Sequence, residues 1–167
     1  MNLIGAMKIA KQEIELIQIS TDKAVKPINM MGFSKRVCEL YLRYSSAADL
    51  STKIVRFGNV LDSNGSVVPI FREQIKRRGP VTVTSFKAKR YFMTIPQACE
   101  LIISVEGENI GAGVYILDMG EAQSILKLAK EMIEDSGFKH TFLSEDGKIQ
   151  IVEIGLRKGE KEVEELT

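Results

Sequence analysis

A chain of 167 residues with 44% apolar and 27% charged side chains suits one soluble globular domain, with at most a small annex. Its 23 basic and 22 acidic residues leave a formal net charge of +1, which excludes capture of nucleic acid or an anionic membrane by bulk charge. Two cysteines without CxxC spacing and a single histidine exclude a zinc site built from His and Cys, and no apolar run approaches the ~20 residues of a membrane span.

Cys38 and Cys99 read as small buried hydrophobes. Without a signal peptide or membrane segment in the sequence, the expected compartment is the cytoplasm.

In chain order, LIGAMKIAKQ (3–12) reads as a helix stub. IELIQIS (14–20) is a short apolar run that ends in Ser-Thr-Asp, the pattern of a buried parallel strand entering a loop. Pro27 and Asn29 open a helix over 28–45, with Met30, Val37, Leu40 and Tyr41 at helical spacing. TKIVRFGNV (52–60) is a second buried-type strand, and SVVPIFREQIKRRG (66–79) is a helix with a basic end and a terminal glycine. PVTVTS (80–85) alternates as a strand does, and PQACELIISVEG (96–107) is a helix with Pro in its first turn. GVYILDMG (113–120) is a further strand, followed by an amphipathic helix over 124–137 and a last strand over 148–155. The charged tail LRKGEKEVEELT reads as a solvated helix face. Strands alternating with helices of this length predict an α/β protein.

Ser20 and Thr21, at a strand's carboxyl end and followed by Asp22 and Lys23, stand where open α/β sheets bind ligands. A purely local role, with Asp22 capping a turn and Lys23 solvated, fits the same residues. Lys35 lies four residues after Met31 and so projects from the same helix face.

The segments ISTDKAVKPINMMGFSKR, VRFGNVLDSNGSVVPIFREQI, GPVTVT, KRYFMTIPQACELI, VYILDMGEAQSILKLAKEMI and EIGLRKGEKEVEEL occur here in one order. In that order they resemble the polysaccharide-biosynthesis, CapD-like branch of the extended short-chain dehydrogenase/reductases. That branch holds UDP-N-acetylglucosamine 4,6-dehydratases and related epimerases. The resemblance covers residues 14–167 and implies a partial, Rossmann-like parallel sheet plus a small α/β substrate-binding subdomain, divided as 1–65 and 66–167.

It implies that Ser20 or Thr21 hydrogen-bonds the sugar 4-oxygen, with Ser20 also on the cofactor side. Asp22 acts as acid toward the departing 6-hydroxyl, Lys23 assists at C5, and Lys35 holds the nicotinamide ribose of NAD or NADP. A carboxylate beside an ammonium stabilises the charged form of both, which suits proton exchange. Asn59, Arg90, Arg157 and Glu160 fall on the contacts to the UDP part, where arginine's fork suits a diphosphate. The partners implied are a UDP-sugar and a second copy of the chain, through helix 28–45.

Three departures qualify this picture. Met31 stands at the family's usual tyrosine, so removal of the 4-hydroxyl proton falls to Thr21, Asp22, Lys23 or water. KAKR (87–90) has no Thr before its Arg, and Lys158 replaces the Pro of an Arg-Pro-Gly-Glu-Lys motif. No GxGxxG precedes a helix; GENIGAG (107–113) has other spacing and leads into a strand, so it forms no pyrophosphate cradle. The chain therefore reads as the C-terminal part of such an enzyme, binding no NAD and inactive by itself. A non-catalytic UDP-sugar-binding or dimerisation module, or a domain without a site, are the competing readings.

Overall fold

The computed structural model describes residues 3–10, 14–46, 51–63, 65–107 and 111–167. The first half of the chain forms α1 (Leu3–Ile9), β1 (Leu16–Thr21), a 3-10 turn (Asp22–Ala24), α2 (Met30–Ser46), β2 (Thr52–Phe57), β3 (Asn59–Val60) and α3 (Val67–Lys76). It continues through β4 (Val81–Val83), β5 (Lys89–Arg90), β6 (Phe92–Met93) and α4 (Ile95–Gly107). The remainder is β7 (Gly113–Ile116), β8 (Gln123–Ser124), α5 (Ile125–Asp135), β9 (Lys139–Thr141) and β10 (Lys148–Glu153).

These elements gather into two compact units. The first comprises Met1–Phe57, Pro96–Asp118 and Glu165–Thr167; the second comprises Gly58–Ile95 and Met119–Glu164. The split expected near residue 65 does not match them, because the helix and strand of 96–118 return to the first unit. Its sheet requires this: β7 supplies the strand beside β2.

In the first unit three parallel strands run in the order β1-β2-β7. The central strand β2 is buried from Thr52 to Arg56, as a strand covered on both faces must be. On one face Ile54 packs with Leu42 of α2 and with Ile4 and Met7 of α1. Lys53 alternates to the other face, where its Nζ donates to the carbonyl of Val105 in α4 at 2.7 Å and pairs with Glu15 at 2.9 Å.

The start of α2 is set by its sequence. The Asn29 side chain accepts from the Gly32 N–H at 2.8 Å, satisfying one of the helix's open first-turn donors. Gly32 itself answers a close approach: a Cβ there would lie 2.2 Å from the Lys23 carbonyl oxygen. Only glycine lets the first turn of α2 rest on the 3-10 turn.

Further along α2, Glu39 is fully buried. Its Oε1 accepts from Ser20 Oγ at 2.6 Å and Arg56 Nε at 2.7 Å, and its Oε2 from Arg56 Nη2 at 2.6 Å and Arg36 Nη1 at 3.1 Å. Ser20 and Arg56 are paired neighbours on β1 and β2, so one carboxylate ties the helix to two strands. Burial alone would raise the Glu39 pKa; the hydrogen bonds from Arg56 and Ser20, the Arg56 charge and the Arg36 hydrogen bond outweigh it and hold the group below the usual carboxylate range.

The second unit is built on a parallel sheet in the order β4-β10-β9. Its core joins Val81, Val83, Ile149 and Ile151 of that sheet to Phe71 and Ile75 of α3 and to Ala129 and Ile133 of α5. The β4 and β10 segments thus share one sheet, as their alternating pattern suggests. Two short ladders complete the unit, β3 parallel to β6 and β5 antiparallel to β8.

Two expectations fail. The tail forms no helix: Lys89 N–H donates to the Glu162 carbonyl at 2.8 Å and Val163 bridges to Lys89, so the segment lies along β5 as a strap. Cys38 and Cys99 are exposed, because each sits on the outward side of its helix.

Truncating the fully buried Ile133 to Ala should destabilise the second unit by about 2–5 kcal/mol, read by urea unfolding. Glu39→Gln should cost about 3 kcal/mol at neutral pH, as expected for breaking a buried ion pair. Because the folded pKa of Glu39 is depressed, its contribution is complete above the unfolded value of about 4.3 and is lost as pH falls through the folded value. The stability gap between wild type and Glu39→Gln should therefore narrow on acidification below about pH 4, in unfolding curves followed by circular dichroism.

Candidate functional site

β1 delivers its last two side chains to opposite faces of the sheet. The Ser20 hydroxyl goes inward to Glu39 and is buried there. Thr21 goes to the other face, where its Oγ1 donates to Asp22 Oδ1 at 2.8 Å and caps the 3-10 turn by accepting from the Lys23 N–H. Of the two hydroxyls offered by the sequence, Thr21 is the one beside Asp22 and Lys23.

Lys23 Nζ also donates to Asp22 Oδ1, at 2.9 Å, with part of the lysine side chain open to solvent. Asp22 has 0% exposure, and its second oxygen, Oδ2, has no hydrogen-bond partner among the described residues. A buried carboxylate oxygen without a partner is costly, so such atoms mark places where a ligand group or water completes the site. The triplet thus gathers a hydroxyl and an ammonium on one carboxylate oxygen and leaves the second oxygen buried without a partner among the described residues.

Met31 and Lys35 lie one turn apart on α2. Met31 is 48% exposed, and its thioether carries no proton to exchange. Lys35 is half-buried and makes no ion pair among the described residues.

The residues expected to meet a nucleotide belong to the second unit. Arg90 is only 7% exposed: its Nη1 donates to the carbonyls of Lys89 at 2.8 Å and Glu162 at 2.9 Å, and its Nη2 to Glu160 Oε1 at 2.8 Å. Thr84 Oγ1 donates to the same Glu160 oxygen at 2.9 Å, while Glu160 Oε2 accepts from the Arg157 N–H at 3.2 Å. The strap therefore brings Arg90, Glu160 and Arg157 together and leaves the Arg157 guanidinium exposed. Asn59 joins them through the backbone, its N–H donating to the carbonyl of Tyr91 at 2.8 Å.

Glu39, Arg56 and Gly32 are absent from the candidates that motif and resemblance single out. A usable signal existed for the first two: an arginine inside the buried run TKIVRF demands a buried counter-charge, and Glu39 is the acidic residue of α2.

The fit of a dinucleotide divides accordingly. Of the two residues expected on the nicotinamide-ribose side, Lys35 is half-buried on α2 and Ser20 turns its hydroxyl inward to Glu39. No strand-to-helix turn among the described residues is rich in glycine, so the pyrophosphate side finds no cradle; residues 108–110 of GENIGAG lie outside the described residues.

The family model described as "Polysaccharide biosynthesis protein" matches residues 1–167. The capsular polysaccharide biosynthesis protein CapD of Staphylococcus aureus is 44% identical over 99% of this chain, which spans 28% of that protein. The UDP-glucose 4-epimerase of Rickettsia akari is 34% identical over 99% of the chain, with 48% of its own length covered. Among solved structures, Pen from Bacillus thuringiensis superposes with a TM-score of 0.80 at 34% identity, covering 98% of this chain and 50% of that one. The chain thus spans about a quarter to a half of the proteins it matches. A family pattern running from one end of the chain to the other means that this chain belongs to the polysaccharide biosynthesis protein family.

Proposed function

We propose that this chain is the C-terminal portion of a nucleotide-sugar 4,6-dehydratase or epimerase that acts on a UDP-N-acetylhexosamine in surface-polysaccharide biosynthesis. The observation that carries the proposal is the triplet at the end of β1: Thr21 and Lys23 both held on Asp22 Oδ1, with Oδ2 buried and without a partner among the described residues. Thr21 orients the sugar 4-hydroxyl by a hydrogen bond. Asp22, through Oδ2, exchanges a proton with the sugar, and Lys23 stabilises the carboxylate form once the proton has left. Lys35 adds positive charge on the 4-oxygen side, and Met31 leaves proton removal to this triplet or to water.

On the substrate side, the exposed Arg157 guanidinium meets the diphosphate. Arg90 and Glu160 position the strap that carries it, and Asn59 contributes from β3. NAD or NADP serves the intact enzyme as hydride acceptor; this chain alone, with no glycine-rich cradle among the described residues, binds neither measurably and turns nothing over. The second reading, a non-catalytic UDP-sugar-binding module, is favoured by one observation, the methionine at the tyrosine position.

The chain should also pair with a second copy through α2. Met30, Phe33, Val37, Leu40 and Tyr44 recur at alternating steps of three and four residues, and all are exposed. Such a stripe on an isolated helix face is the seam of a helical interface.

Three outcomes are expected. Calorimetry should show weak UDP binding and none for NAD. Arg157→Ala should weaken UDP by about ten- to a hundredfold, the loss of one charge-assisted contact. Leu40→Asp should shift the chain to monomer in sedimentation, with its far-UV circular dichroism unchanged. Tight NAD binding, or UDP affinity indifferent to Arg157, would overturn the functional reading, and an unaltered dimer would overturn the α2 interface.

A further inference from the structure

A second concentration of unmatched charge lies in the first unit, apart from the Thr21–Asp22–Lys23 triplet. An open cleft of about 410 Å³ is lined by Arg36, Arg43, Thr52, Arg56, Ala112, Gly113 and Val114. Arg36 and Arg43 stand two turns apart on the same side of α2, Arg56 rises from β2, and residues 112–114 form the opposite wall at the start of β7.

The charges do not balance. Three guanidinium groups face this cleft, and among the described residues the carboxylate bonded to them is Glu39 alone. Arg56 takes both of its oxygens, at 2.7 and 2.6 Å, and Arg36 spends one N–H on it, at 3.1 Å. The remaining Arg36 donors and the exposed Arg43 have no ion pair or hydrogen bond among the described residues. The far wall adds no opposing charge, being Ala-Gly-Val.

Two guanidinium forks with unused donors, spaced along one helix, match a ligand with two linked oxyanion groups rather than a single small ion. The volume agrees, being ample for more than one phosphoryl group. We infer that this cleft is an anion site for a compound bearing a diphosphate or two phosphoryl groups, held by Arg43 and Arg36 with Arg56 and Glu39 as their rigid base. This inference does not depend on the proposed reaction, since none of its residues belongs to the triplet or to the strap.

The test uses the full chain, inorganic pyrophosphate as probe and Arg43→Ala as variant. Arg43 is exposed and free of the Glu39 cluster, so its removal leaves the fold intact, which a thermal melt verifies. In amide NMR, pyrophosphate should move Arg43, Gly113 and Val114 in a saturable manner. Arg43→Ala should weaken that binding about tenfold, the loss of one charge-assisted contact, and Arg43→Lys should fall between the two. UDP affinity, read separately, should be the same in wild type and Arg43→Ala. Pyrophosphate shifts confined to the region of Arg90, Arg157 and Glu160, or an affinity unchanged by Arg43→Ala, would overturn the inference.

Discussion

The buried carboxylate of Glu39 sits where α2, β1 and β2 meet, and it accepts hydrogen bonds from a serine and two arginines at once. A charged group in that position is tolerable only when its partners are all in place, because each missing donor leaves desolvation uncompensated. The cluster therefore admits one placement of the helix against the strands. Apolar contacts around Leu42 and Ile54 add burial, but such contacts tolerate sliding where a forked guanidinium–carboxylate pair does not.

From that placement the chemistry of the site follows. Ser20 is the penultimate residue of β1, so fixing its hydroxyl on Glu39 also fixes where the strand ends and the turn carrying Asp22 and Lys23 begins. Gly32 brings the first turn of α2 against the same 3-10 turn from the other side, at a distance no side chain would allow. Lys35 lies one turn ahead of Glu39 on the helix, and its position relative to Thr21 is inherited from the cluster. The charged network thus serves as the frame on which the polar triplet is held, while the apolar stripe of α2 remains outward.

Much of this architecture was legible in the sequence, because local pattern and burial agree there. The apolar run ending in Phe-Gly-Asn is a strand covered on both faces, whereas the run ending in Ser-Thr-Asp, expected to be buried, is an outer strand of the described sheet and leaves Ile19 exposed; α5 is amphipathic because one side meets the second sheet. What was not legible depends on pairings between distant segments. The charge run of the tail looks like a solvated helix until β5 is known to lie beside it, offering the Lys89 N–H and the Arg90 guanidinium to the Glu162 carbonyl. Cys38 and Cys99 carry no local mark of which helix face turns outward. For the site, the resemblance singled out Asp22 and Lys23 by position; that Thr21 and not Ser20 shares their oxygen follows from strand alternation together with a buried partner on α2.

The central claim, that the Glu39 cluster locks α2 to the end of β1, is tested most directly by amide hydrogen exchange on wild type and Arg56→Gln. The account predicts that protection falls together over Arg36–Leu42 of α2 and at Ser20 and Thr21. The amides of α5, β9 and β10 should keep their wild-type rates. Wild-type protection throughout α2 in the variant would contradict it, and would place the hold on the helix in its apolar contacts instead.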